Sequence, residues 1–329
     1  MTSNGRTKLE QQRAWEAFTQ HQAKRWFGVW STYDADGTVL DDVYLDTDLR
    51  LSDDGFSVDH VNTMYVGSVK SDCATCHDSD DIREIRVGTY TPENLRQRAC
   101  GLAYLSGPAV NRRGSLTTEI GLRSFDNRIR CIVVHSVPED QLLAQEPPSW
   151  LQLDKVVIVR ENLSAHPVRG EEAAQAVWAE PEPTRWLGLW RGRRDKLLPV
   201  SSQSVIELSG EDVGPTHLRK CRCSGSSDAG REATVHLEFK GEIRLETPRI
   251  VHAGEPTSLA LSWLPLLSEG NVEAGQQHVL RGDVKFEALS RVENTVHTRE
   301  GVPQVIISPP EMLEFNVEEL KPVLSAGLS

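Results

Sequence analysis

The hexad Arg-Trp-x-Gly-x-Trp occurs twice, at Arg25-Trp26-Phe27-Gly28-Val29-Trp30 and at Arg185-Trp186-Leu187-Gly188-Leu189-Trp190, and constrains the fold more than any other feature of the chain. Helix-like residues precede both copies, so the pair marks a duplicated architecture. In each copy a glycine between large aromatics lets a first strand approach its neighbour closely, and the indoles plug the end of a rolled sheet. Trp26, Gly28, Trp30, Trp186, Gly188 and Trp190 are therefore structural residues first. A chain of 329 residues divides naturally into two domains of about 150 residues. The expected division is 1–165 and 166–329.

The pattern between the hexads is that of short strands. An amphipathic helix with Leu9, Trp15, Phe18 and Ala23 near one face leads into the first hexad, and Asp34-Ala35-Asp36-Gly37 follows as a hairpin turn. Val43, Leu45, Thr47, Leu49 and Leu51 then alternate with Tyr44, Asp46, Asp48 and Arg50, which predicts a strand with one buried face. The same grammar recurs from Phe56 to Val66, Ile82 to Tyr90, Leu102 to Tyr104, Leu116 to Leu122, Ile129 to Val137 and Leu153 to Val159, with a turn at Asp126-Asn127. A helix-like stretch from Ala173 to Trp178 and the spacer Glu180-Pro181-Glu182-Pro183 form the junction. Strands resume at Trp186 to Trp190, Ser204 to Leu208, His217 to Cys223, Ala233 to Phe239, Ile243 to Leu245, Ser258 to Trp263, His278 to Leu289 and Val302 to Ile307. Pro309-Pro310 marks a late break, after which the chain reads as a short helix and a frayed tail. A meander of this kind removes its edges by closing into a barrel.

A Gly-x-Trp on a first strand after a short helix, followed by a meander, resembles the lipocalin and wider calycin pattern. Such proteins often cover the Trp with an Arg from the last strand. Arg160, ending Val156-Val157-Ile158-Val159, is the residue that the resemblance assigns to Trp30, and Arg281 or Arg291 is assigned to Trp190. The first half taken whole extends the likeness: the helix with Trp15, then Trp26 to Trp30, Tyr33 to Gly37, Glu119-Ile120-Gly121-Leu122-Arg123, and Ile158-Val159-Arg160-Glu161. This order is similar to an uncharacterised family, found mainly in cyanobacteria and algae, built from two calycin barrels in tandem. The resemblance implies an all-β fold of two antiparallel lipocalin-like barrels, each preceded by a short α-helix. It also implies an amphipathic or apolar ligand in the barrel, such as a tetrapyrrole, carotenoid or other lipid. The bilin lyases within the calycins add an enzyme alternative, in which the barrel cages transfer, isomerisation or cyclisation. A third reading is an assembly factor with filled barrels and a protein partner.

The remaining residues carry little chemistry. Cys73-Ala74-Thr75-Cys76-His77 spells the haem-attachment motif, but the opening segment lacks a secretory pattern and the motif sits among Asp72, Asp78, Asp80 and Asp81, so a loop match outweighs haem. Zinc on Cys73, Cys76 and His77, with Cys100 as a fourth ligand, is the weaker alternative, and Cys221 and Cys223 read as core. There is no Gly-x-Ser-x-Gly, His-Glu-x-x-His or phosphate-binding loop. His60, His135, His236 and His278 fall in strands as wall residues rather than bases. Ligand-binding candidates on the barrel walls are Tyr33, Tyr44, Tyr65, Tyr90 and Arg123 in the first half, and Arg193, His236, Phe239, Trp263 and Phe286 in the second. Arg191, Arg193, Arg194 and Lys196 form a positive cluster, read as solvated charge or as a carboxylate clamp.

A net charge of −12 argues against nucleic acid, and no apolar run reaches the ~18 residues of a membrane span. The expectation is a cytoplasmic protein with no required cofactor, a small-molecule ligand and six thiols rather than disulfides. Metal analysis of the purified chain should find no stoichiometric zinc. One zinc per chain would instead assign Cys73, Cys76 and His77 as ligands.

Overall fold

In the computed structural model, the described residues are 8–66, 82–95, 97–99, 103–110, 115–138, 150–163, 188–197, 211–218, 234–239, 241–252, 254–265, 279–288 and 311–322. They form one helix, α1 (Lys8–His21), and seventeen strands. The first nine are β1 (Arg25–Asp34), β2 (Val39–Leu51), β3 (Val58–Tyr65), β4 (Ile82–Tyr90), β5 (Arg98–Ala99), β6 (Ala103–Val110), β7 (Leu116–Ser124), β8 (Asn127–Ser136) and β9 (Trp150–Asn162). The rest are β10 (Gly188–Leu197), β11 (Glu211–Leu218), β12 (Thr234–Phe239), β13 (Ile243–Pro248), β14 (Ile250–His252), β15 (Glu255–Trp263), β16 (Val279–Ala288) and β17 (Glu311–Pro322).

The protein is all-β, with antiparallel pairing throughout these residues. The first sheet runs β4-β3-β2-β1-β9-β8-β7-β6-β5, so the first strand of the meander pairs with both the second and the last. The second sheet runs β11-β10-β17-β16-β15-β13-β12 and repeats that device, with β10 between β11 and β17. β1, which carries the first hexad, and β10, which begins with Gly188-Leu189-Trp190 of the second, thus occupy equivalent places in their sheets.

Local chemistry explains the first hexad's position. Gly28 faces Glu161 across the β1–β9 ladder, where a Cβ would overlap the Arg160 carbonyl oxygen. Only glycine permits that approach of the two backbones. The hairpin to β2 turns at Gly37, at φ 87°, while Asp34 Oδ1 accepts the backbone N–H groups of Asp36 and Thr38. Helix α1 packs Trp15 and Phe18 onto Trp26, Leu49, Val58 and Leu95, closing one end of the first sheet. Leu9, expected on that apolar face, is exposed.

Alternation along β6 to β9 sends residues to two different interiors. Leu105, Ile120, Leu122, Cys131, Val133, Val156 and Ile158 point away from the concave face and join Leu237, Leu245, Leu261, Leu280, Phe286 and Phe315 of the second sheet in one core. The second sheet therefore covers the outer face of the first. At their crossing Gly282 leaves room for Ile120, whose Cγ2 would stand 3.0 Å from a Cβ there. β14 joins the sheets directly by pairing with β9, and His135 on β8 lies 3.0 Å from the Pro248 carbonyl.

Two expectations change. The chain after Pro309-Pro310, read as a short helix, forms β17, which is hydrogen-bonded on both sides by β10 and β16. Its Glu, Leu and Lys favour helix locally, but a full pair of ladders overrides that propensity. Ile250–His252, unmarked in the sequence reading, is the bridging strand β14. The linker helix from Ala173 to Trp178, the strands at Ser204 to Leu208 and Val302 to Ile307, and Cys221 and Cys223 lie outside the described residues.

Substituting Gly28→Ala is expected to destabilise the protein by ~1–3 kcal/mol in urea unfolding, because backbone rather than a flexible side chain must move. Gly55→Ala tests the alternative cause, a positive φ of 74° in open space, and should be milder.

Candidate functional site

The concave face of the first sheet holds a cavity of about 210 Å³. Its lining comes from β1 to β4, from β6 to β8 and from α1, including Phe18, Gln22, Trp30, Thr47, Leu49, His60, Asn62, Tyr90, Gln97, Tyr104, Glu119, Arg128 and Arg130. Strands from opposite ends of the sheet order reach one cavity, which requires the sheet to be curled.

The cavity's floor is a charged cluster sealed from solvent. Glu161 on β9 has no side-chain exposure, and Arg128 and Arg130 on β8 are 2% and 7% exposed. Glu161 Oε2 accepts Arg128 Nε at 2.7 Å and Arg130 Nε at 3.0 Å, while Oε1 accepts Arg130 Nη2 at 3.0 Å and the Thr47 hydroxyl at 3.0 Å. Burial alone would raise the Glu161 carboxyl, but the two guanidiniums outweigh it and hold the group at about 2. Arg128 also donates Nη1 to Gln22 Oε1 at 3.1 Å and lies over the Trp26 ring at 4.1 Å. Arg130 stands 3.5 Å from Glu119, whose Oε1 accepts the Tyr104 hydroxyl at 2.6 Å.

Opposite this floor is a chain of neutral groups. His60 Nδ1 is 3.0 Å from the Tyr90 hydroxyl and Nε2 is 3.0 Å from Asn62 Oδ1. Desolvation, with Arg130 nearby, lowers His60 to about 4, so its imidazole is neutral near pH 7. With Nε2–H donating to Asn62, Nδ1 accepts the Tyr90 proton. Toward the other end the concave face turns apolar, with Leu45, Val157 and Val159 packed against Trp30, Met64 and Ile132.

The wall residues expected from the sequence are placed as follows. Tyr33 packs edge-on against Phe239 at 4.8 Å in the core between the sheets, and Tyr44 and Tyr65 cluster with Val29 on the same convex face. Arg123 faces inward at the helix end, donating Nη1 to the His21 carbonyl and lying over Trp26 at 5.4 Å. Tyr90 lines the cavity. Arg160 is on the convex face beside Ser31 Oγ at 3.4 Å, and the guanidinium over Trp30, at 6.0 Å, belongs to Arg130. Trp263, Phe239 and Phe286 belong to the core between the sheets. His236 is half-buried on β12 opposite Glu246. Gly188, Trp190 and Arg193 are on β10; Trp186, Cys73, Cys76 and His77 lie outside the described residues. Among the described residues no group of three His, Cys, Asp or Glu is placed to hold a metal.

Sequence reasoning passed over Arg128, Arg130, Glu161 and Gln22. A signal existed for the arginines: Arg128-Ile129-Arg130-Cys131 alternates charge with apolar residues in a strand flanked by other strands, where neither face is free to meet water.

Residues 11–142 match the N-terminal family model of DUF3598, a domain of unknown function. The match covers α1 and β1 to β8, and so all the elements that line the cavity. A DUF3598-family protein of unknown function from Nostoc punctiforme PCC 73102 shares the fold, with a TM-score of 0.54 at 14% sequence identity, over 94% of this chain and 99% of its own. Its coverage includes the second sheet, beyond the family model's reach. No curated protein matches in sequence. No helix among the described residues is long and apolar enough to cross a membrane.

His135 is buried beside Pro248 and, like His60, is lowered to about 4 by desolvation. The unfolded chain therefore binds these protons first. Their stabilising effect is complete above about pH 6.5 and is lost as pH falls toward 4; Glu161 extends the loss from about 4.5 down to about 2. The melting temperature should be flat near neutrality and fall below about pH 6.5, and His135→Gln should flatten the upper part of that fall. Unchanged slopes in the variant would remove His135 as a contributor.

Proposed function

We propose that the first sheet acts as a lipocalin-like barrel, parted between β4 and β5, that binds a small amphipathic molecule, and that the second sheet is the duplicate half of a tandem pair. The pairing of β1 with both β2 and β9, repeated by β10 with β11 and β17, supports the lipocalin-like reading. The observation that carries the binding reading is the cavity itself, which combines arginine, histidine and amide groups with the apolar surfaces of Phe18, Trp30, Leu49 and Ile132. A filled barrel devoted to architecture gains nothing from enclosing about 210 Å³ beside buried charge.

The volume limits the ligand. Drug-sized molecules occupy pockets of roughly 300–1,000 Å³, so this cavity takes a compact molecule whole or one end of a larger one, such as a tetrapyrrole or other lipid. The polar end belongs at the Arg128–Arg130 floor, and the apolar end against Trp30 and Ile132.

Native mass spectrometry of the purified chain should show one non-covalent adduct per protein, released on denaturation. Val87, about half exposed and lining the cavity, is the place to block it. Val87→Trp should leave the melting temperature within a few degrees and abolish the adduct. A protein without any adduct, whose Trp fluorescence is also indifferent to small amphipathic probes, would overturn the binding reading in favour of an assembly role.

A further inference from the structure

Two donors at the floor of the cavity stand without an acceptor. Glu161 already takes four donated hydrogen bonds on its two oxygens. Arg128 spends Nε on Glu161 and Nη1 on Gln22, leaving Nη2 with no partner although the residue is 2% exposed. Gln22, 1% exposed, accepts from Arg128 through Oε1 and leaves Nε2 with no partner. Both residues line the same cavity. An unpartnered buried donor costs about 1–3 kcal/mol, and more on a charged group, so two side by side point to an acceptor that arrives from outside.

Charge is matched within the cluster, Arg128 and Arg130 standing against Glu161 and Glu119, so the case rests on the open donors rather than on net charge. Among the described residues Arg128 has one ion-pair partner, Glu161, which it shares with Arg130. Trp26 covers the face of the Arg128 guanidinium, so its remaining edge is the direction open to a partner. A guanidinium edge next to an amide NH₂ suits two oxygens on one carbon, the geometry of a carboxylate.

We propose that the ligand of this cavity is a compact carboxylate, whose oxygens take the free N–H groups of Arg128 and Gln22 while its apolar tail lies against Trp30 and Ile132. This rests on the cavity binding a small molecule, and it assigns which chemical class enters.

The test compares hexanoate with 1-hexanol, equal in chain length and different in head group, by isothermal titration and Trp fluorescence on the full chain at pH 7. Hexanoate should bind about tenfold or more tightly than hexanol. Gln22→Glu, nearly isosteric, replaces the free donor with a carboxylate that pairs with Arg128 from within. It should remove the hexanoate preference, keep hexanol binding and hold or raise the melting temperature. Gln22→Met, which deletes the donor without adding charge, should reduce the preference partially and serves if the Glu variant does not fold. Equal binding of the two probes by the natural chain overturns the carboxylate assignment and means that water alone satisfies the donors, and an unchanged preference in a folded variant overturns the placing of the head group on Gln22; in both cases the binding reading stands. Binding of neither probe overturns the carboxylate assignment, and the binding reading falls with it where native mass spectrometry also shows no adduct.

Discussion

The interaction on which the rest of the structure depends is the enclosure of one carboxylate. Glu161 on β9 is removed from water and accepts four hydrogen bonds from residues on two other strands, Thr47 on β2 and the two arginines on β8. Through Arg128 the network reaches Gln22 just past the end of α1, so the helix that closes the sheet is tied to the same anion. Removing one partner from a buried ion cluster costs about 3–5 kcal/mol, because the charge left behind cannot be solvated. Such a cluster stabilises less by attraction than by making every other arrangement of these strands worse. It also keeps the cavity's floor polar in the middle of an otherwise apolar sheet.

Trp26 shows how the repeat motif and the charged cluster depend on one another. Its ring sits between Arg128 on the cluster and the helix residues Trp15 and Phe18, and its indole N–H donates to the Gln22 carbonyl at 2.9 Å. A large flat ring with one polar edge suits that place, since it covers a guanidinium while satisfying a carbonyl near a helix end. Gly28, two residues along, brings β9 close enough for Glu161 to reach the cluster. The hexad is therefore architecture, and the cavity's chemistry is built on it by residues that the hexad does not contain.

The second sheet gives the first its apolar backing. Without it, Leu105, Ile120, Leu122, Val133 and Ile158 would face water; with it, β6 to β9 are buried on one face by apolar packing and on the other by the charged cluster. β14 and the contact between His135 and Pro248 fix the two sheets against each other. Among the described residues the second sheet does not back β3 and β4, the strands of the cavity's other wall, and Ile82, Ile85 and Val87 of β4 are exposed near the parting of the sheet. The cavity thus has one wall backed by the second sheet and one wall whose outer residues meet solvent.

By itself, the sequence determined the class of fold, the first helix, the hairpin at Gly37, most strands and the equivalence of the two hexad strands, because these follow from local period, turn chemistry and repetition. It left open which face of each strand looks inward. The tyrosines at 33, 44 and 65 show the consequence, since all three lie on the convex face while His60 and Tyr90 line the cavity. With a side-chain period of two, one bulge exchanges the faces, and the extra residues are Leu40 on β2, opposite Thr32 and Tyr33, and Val87 on β4, opposite His60 and Val61. Only the tertiary structure could pair Glu161 with Arg128 and Arg130 or turn the helix-favouring tail into β17. Those outcomes depend on burial and on ladder partners far away along the chain, and no local pattern encodes them.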